Sequence, residues 1–350
     1  MRTSTALLFS PLAALAACSG GGSSGGSGNP PPVFTSSPTP TPTATASATP
    51  TPTPSTSPVP TGTDFLSRAA ALYTAQPDIA GCQAGQLHPA VIASVTNSLN
   101  TIRALHKLPP VTYSAADEAP AQQAALIMAA NNALSHTPPT SWNCYSASGS
   151  AGAGSSNLYG GYGGGLSLLS EEQVLAGWMT DVNNLVLDSV GHRRWLLDPF
   201  LGSIAYGRVA GRSTTSTRAD AAALKVFNLA GPAGPAGTLP DIVAYPFEEY
   251  PARFFDTNAL LSFSVISNKT SKFGNNNVNF SGATISVRVR GGAALTVSKI
   301  AFDNDGYGLP NNLQFAVAGL TANTIYDVTV ANVSVGGAIR SYSYYFRIVA

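Results

Sequence analysis

Residues 19–63 carry no charged side chain, and this stretch limits what the rest of the chain can be. Ser19–Asn29 is almost entirely Gly and Ser, a composition that behaves as flexible coil. Pro30–Pro60 holds 11 of the 26 prolines, mostly alternating with Thr. Proline fixes φ and removes a backbone donor, so such a segment favours extended polyproline II. At about 3.1 Å per residue its reach is about 90 Å. It has too few apolar side chains to offset the entropy of ordering its backbone. It therefore builds no core, and order is expected to begin near Asp64.

The residues before it read as an export signal. Arg2 supplies a positive start, and Ala6–Ala17 is an apolar run ending in small residues. That pattern over residues 1–17 is a secretory signal peptide, shorter than the roughly 20 residues that span a bilayer. It ends in Leu15-Ala16-Ala17-Cys18, which resembles the lipobox of bacterial lipoproteins. The resemblance implies cleavage before Cys18 and acylation of its thiol, which anchors the chain to a membrane. Each buried acyl CH₂ contributes about 0.8 kcal/mol, so two or three chains hold stably. Ser19, where Asp commonly retains a lipoprotein at the inner membrane, favours the outer membrane or cell surface. Residues 18–63 are then a lipidated cysteine followed by a tether.

Two further cysteines, Cys82 and Cys144, remain. Outside the cytoplasm an even pair points to a disulfide, with two buried thiols as the alternative. Closing so long a loop is worth about 4 kcal/mol on the chain-entropy model. Charged residues make up only 10% of the chain and the formal net charge is +1, so there is no basic footprint for nucleic acid.

Two regions of different character follow Asp64. In the first, Val91, Val95, Leu99, Ile102 and Leu105 recur at helical spacing within Leu87–Leu108, ahead of Pro109-Pro110. Ser114, with Asp117 three residues on, reads as the cap of a helix running to about Leu134. Cys144–Gly165 reads as a Gly/Ser-rich loop, and Ser170-Glu171-Glu172 as the start of another helix. Val190–Leu197 reads as one or two helical turns, with Ser203–Val209 and Ala223–Leu229 as strands. From Leu260 onward helical spacing gives way to alternation over Leu261–Ile266, Thr284–Arg290, Leu313–Val317, Tyr326–Val330 and Tyr342–Val349. Short alternating runs separated by turn residues predict a small β-sandwich over residues 245–350. The stretch from Gly319 to Val330 resembles the late strands of Ig or fibronectin III modules.

Four patches in the first region occur in the order used by one known family. They are Asn100–Arg103 with Leu108–Val111; Asn131–His136; Ser156-Asn157-Leu158; and Trp178–Asp181 with Val190–Arg193, Leu196–Pro199 and Ile204–Gly207. Together they resemble the CAP (SCP-like) superfamily. The resemblance covers about residues 85–230 and implies an α+β fold, a CAP-type α/β/α sandwich over residues 64–240. In that family two histidines and two acidic residues meet in a cleft. Carried over, these are His136, His192 and Asp181, while the other acidic position falls on Ser156. His136, His192 and Asp181 form a candidate zinc or other divalent-metal set with N and O ligands. Ser156 in the fourth corner removes one carboxylate.

Other chemistries find less support. A Ser156–His136–Asp181 triad has no Gly-x-Ser-x-Gly context. HExxH is absent, and the glycines near Gly152 and Gly160–Gly165 match no phosphate-binding pattern. No catalytic residue is assigned. Tyr159 and Tyr162 are expected at the cleft rim or over the core. Asp198, ahead of Pro199, reads as a turn residue, and His88 and His106 match no motif. Three functions remain open. The family's ligands, sterols and other lipids, imply a non-enzymatic binding module for a lipid or envelope component. A metal-assisted hydrolase of envelope peptides and a purely adhesive surface protein are the alternatives.

Overall fold

The computed structural model describes residues 64–213, 218–227 and 239–350. The signal peptide, Cys18 and the tether lie outside the described residues, as do the last two residues of the strand expected over Ala223–Leu229. In chain order the elements are α1 (Phe65–Ala70), β1 (Tyr73–Ala75), β2 (Gln86–Leu87), α2 (Pro89–Leu105), β3 (Thr112–Tyr113), α3 (Glu118–Asn131), α4 (Ala147–Gly154), β4 (Ser156–Tyr162), α5 (Glu171–Thr180) and α6 (Gly191–Leu196). Then come β5 (Ser203–Arg212), β6 (Arg218–Lys225), β7 (Ile242–Tyr245), β8 (Glu248–Pro251), β9 (Leu261–Val265), β10 (Val278–Asn279), β11 (Thr284–Val289), β12 (Val297–Asp303), β13 (Asn312–Val317), β14 (Ile325–Val335) and β15 (Ala338–Val349). Among the described residues no helix is long and apolar enough to cross a membrane.

The first region is an α/β/α sandwich around the sheet β3-β5-β6-β4. Side chains of β6 alternate between its two faces. Ala219, Ala221 and Ala223 join the core formed with α3, while Ala222 and Leu224 join the core formed with α2 and α5. Small residues let the helices lie close. A Cβ on Gly207 of β5 would sit 2.3 Å from the Ala121 carbonyl of α3. At Gly152 of α4 it would sit 2.2 Å from the Pro120 carbonyl oxygen, so bulkier side chains are excluded at both crossings.

Helix α2 buries Val91, Val95, Leu99 and Ile102, one face at the expected spacing, with His88 Nδ1 as its N-cap. Helix α5 starts with a capping box of Ser170 and Gln173. Two expectations differ from the structure. Ser114 does not cap α3; its hydroxyl donates to Asp117 at 2.7 Å, and a 3₁₀ turn over Ala115–Asp117 precedes the helix. The stretch expected as a loop from Cys144 to Gly165 contains α4 and β4. There, packing on α3 and pairing with β6 override the weak helix propensity of Gly and Ser. Cys82 and Cys144 form a disulfide.

The C-terminal region is all β, in two sheets. One has the order β10-β14-β15-β8 with β11 also on β14; the other is β12-β13-β9-β7. Phe263 of β9 stacks on Tyr344 of β15 with ring centres 6.1 Å apart, so the two sheets pack face to face. Their core is continuous with that of α2 and α5, and the described residues form one compact unit.

Buried polar groups also join the two regions. The Arg193 guanidinium lies 3.6 Å above the Tyr245 ring and donates to Leu260 O, Ser262 Oγ, Met179 O and Thr180 O. Lys272 Nζ pairs with Asp198 at 2.7 Å. Asp198 does make the expected turn, accepting from Phe200 N, but it is also half of this buried ion pair. Arg194 holds Asp303 through two hydrogen bonds of 2.7 Å.

Candidate functional site: a histidine-bearing apolar cleft

Helix α3 ends at Asn132, whose left-handed conformation (φ +47°) turns the chain out of the helix. His136 follows on the outgoing strand of chain, with Nδ1 2.9 Å from Ala153 O. A carbonyl only accepts, so Nδ1 carries the proton and Nε2 is the lone-pair nitrogen of the neutral ring. Helix α5 ends similarly at Asp181 (φ +57°). This conformation aims the carboxylate back across the following loop. Its Oδ1 lies 2.6 Å from His192 Nδ1 and accepts from Asn184 Nδ2 at 3.1 Å, while Oδ2 accepts from Arg193 N. His192 is fixed further by Asn157, which donates to its carbonyl, and by Trp178, whose ring centre is 6.3 Å away. Trp178 is held by its own bond to Leu158 O.

The wall formed by α5 is positioned by a buried charge network. Arg208 of β5 donates to Asp220 of β6 and to Glu171 at the start of α5. Tyr159 leans on the same network, 3.5 Å from Asp220, and burial pushes its phenol pKa up.

These elements enclose a cavity of about 580 Å³. His136, Asp181 and His192 all line it. Ser156 does not: it is buried, and its hydroxyl donates to Gly152 O at 2.7 Å. Tyr159 lines the cavity, whereas Tyr162 covers the α3 core and reaches Met128 O and Ala133 O. Most of the remaining wall is apolar: Leu134, Leu158, Leu169, Val174 and Trp178, with Leu185 and Val186 at the edge. Gln173 and Asn184 add hydrogen-bonding groups.

The residues do not fit a metal. Among the described residues no three His, Cys, Asp or Glu side chains are grouped to hold one. Asp181 spends both oxygens on His192, Asn184 and Arg193 N, so it orients an imidazole rather than offering a free donor. The His192–Asp181 pair resembles the orienting half of a triad, but among the described residues no serine or cysteine is hydrogen-bonded to the His192 ring. Ser135, the serine of the lining, has its Oγ turned to Thr137 N. Sequence reasoning missed the edge of the cleft. Leu185-Val186-Leu187 is an apolar run in a segment with no helical or strand period, which was the available signal.

The fold and cleft define a three-layer α/β/α domain with paired histidines, continuous with an all-β C-terminal region. Residues 96–222 match the model of the CAP family, the cysteine-rich secretory protein family, and this part of the chain is a CAP domain. No curated protein matches the chain. A solved outer surface protein of Borrelia burgdorferi is similar over 39% of this chain and 91% of its own length, with 14% identity and a TM-score of 0.25. A likeness at that level carries no argument about function.

Proposed function

We propose that the cleft is a non-enzymatic binding site for one amphipathic molecule, a lipid or lipid-like envelope component. The chain would be held at the outer membrane or cell surface by an acyl group on Cys18. The observation that carries the reading is the lining. Pockets of about 300–1,000 Å³ with apolar walls and a few placed polar groups suit small ligands. Here Leu134, Leu158, Leu169, Val174 and Trp178 form the apolar wall, and His136, His192, Gln173 and Asn184 offer hydrogen bonds to a polar head. The lone-pair nitrogens of the two imidazoles accept from a hydroxyl or a protonated carboxyl.

Gly177 gives a clean test. It lines the cavity from the middle of α5, and a Cβ there meets nothing within 4 Å. Leucine is also the better helix former by about 0.8 kcal/mol. Gly177→Leu is therefore expected to narrow the cavity without loss of stability. Titration of a fluorescent fatty acid should saturate at one site in the unmodified chain and weaken at least tenfold in the variant. Equal binding in both would exclude this cavity as the site.

A further inference from the structure

The loop between α5 and α6 presents three consecutive aliphatic side chains to solvent. Leu185 is 82% exposed, Val186 65% and Leu187 87%, with Val182 also exposed. Folded chains rarely leave such a run uncovered without a use for it. The loop is ordered by its own bonds: Asn184 Oδ1 accepts from Val186 N, and Val186 O accepts from Ser189 N. Its base is clamped to the C-terminal region. Lys299 of β12 pairs with Asp188 at 2.8 Å, and Gln314 of β13 donates to Asp188 O. On either side of Ala301, β12 carries two more exposed apolar residues, Ile300 and Phe302.

Leu185 and Val186 also line the cavity. The exposed apolar tip and the mouth of the cleft are thus one continuous surface.

We propose that Val182–Leu187 is a bilayer-docking tip through which the cleft exchanges its amphipathic ligand with a lipid surface. The docking stands on the loop itself; the exchange rests on the binding reading of the cleft given above. Two features favour a bilayer over a protein partner. The exposed run Leu185–Leu187 is aliphatic, whereas protein-binding hot spots are enriched in Trp, Tyr and Arg. The sequence also places an apolar leader, a lipobox-like cysteine and an uncharged tether ahead of the folded part, which puts a bilayer within reach. An apolar chain leaving that bilayer between Leu185 and Val186 would enter the cavity without crossing water.

Leu187 does not line the cavity, so substituting it separates docking from binding. The chain begun at Ser19, which keeps the compact unit and removes any acyl anchor, is sedimented with phosphatidylcholine vesicles. Partition of the unmodified chain is expected to fall at least tenfold in Leu187→Asp, and in the same direction in the uncharged Leu187→Ser. No association of the unmodified chain, or equal association of both variants, would overturn the docking tip. In parallel, a fluorescent fatty acid delivered from cyclodextrin is titrated into the same proteins. Uptake unchanged by Leu187→Asp, together with the loss of sedimentation, supports the proposal. Absence of uptake in every form defeats the cleft reading and the exchange step, while sedimentation still decides docking.

Discussion

His106 should make the stability of this protein fall as the medium is acidified, by an amount the structure sets. It caps the C-terminus of α2, is 2% exposed, and lies between the two regions of the fold. Nδ1 is 2.8 Å from Ala244 O and must donate, so the neutral ring presents Nε2 to the Tyr250 hydroxyl at 3.3 Å. Burial holds the imidazole pKa down to about 3, and the guanidinium groups of Arg193 and Arg103 add to the effect. An unfolded histidine titrates near 6.5. Above about pH 7 the ring is neutral in both states and its full contribution is present. Between pH 6.5 and 3 the unfolded chain takes up a proton that the folded chain refuses. Stability is therefore lost as pH falls, at up to about 1.4 kcal/mol per pH unit. At pH 5 the loss is about 2 kcal/mol. Urea unfolding of the unmodified chain and of His106→Asn, at several pH values from 8 to 5, measures it. Asparagine keeps a donor for Ala244 O but does not titrate. The other histidines and carboxylates contribute alike to both, so the stability difference between them should shrink by about 2 kcal/mol across that range. A difference independent of pH would refute the reasoning, and one that grows on acidification would mean His106 is charged in the fold.

Other substitutions test other parts of the structure. Lys272→Ala leaves the fully buried Asp198 carboxylate, whose pKa burial pushes up, without its partner. Thermal or urea melts should show a loss of about 3–5 kcal/mol, with much of it regained in the Asp198→Asn/Lys272→Met double variant. Replacing Cys82 and Cys144 by Ser reopens a loop of 62 residues' separation and should lower stability by about 4 kcal/mol. A chain ending at residue 240 loses Tyr245, Leu260 O and Ser262 around Arg193, Ala244 O beside His106, and Lys272 beside Asp198. It should lack a cooperative melt and a near-UV circular dichroism signal; a sharp transition would show that the CAP domain is self-sufficient.

Much of this architecture is legible in the residues. The spacing of Val91, Val95, Leu99 and Ile102 gives α2, and Ser170 with Glu171 and Glu172 marks the start of α5. Alternation locates β9, β11 and β13 to within a residue or two. The misses have physical causes. Strand β6 runs Arg218–Lys225, earlier than expected, because Ala219–Leu224 is buried on both faces and so lacks a polar alternation to read. Helix α4 is poor in helix formers and exists because its glycines fit against α3. Arg103, Arg193 and Arg208 look like surface residues in a sequence, yet each is wholly buried with carbonyl or carboxylate partners from distant segments. In the cleft, motif position brings His136, His192 and Asp181 together, but it cannot show that the Ser156 hydroxyl is spent on Gly152 O outside the lining. Nor does it show that Leu185–Leu187 stands at the mouth, since exposure belongs to the folded chain.

Native mass spectrometry of the chain begun at Ser19, purified without detergent and then offered a single fatty acid, tests the central claim most directly. The account predicts one bound molecule per chain, with at least tenfold weaker loading of Gly177→Leu. A bare polypeptide mass at every ligand concentration, or an equal load on Gly177→Leu, would contradict it.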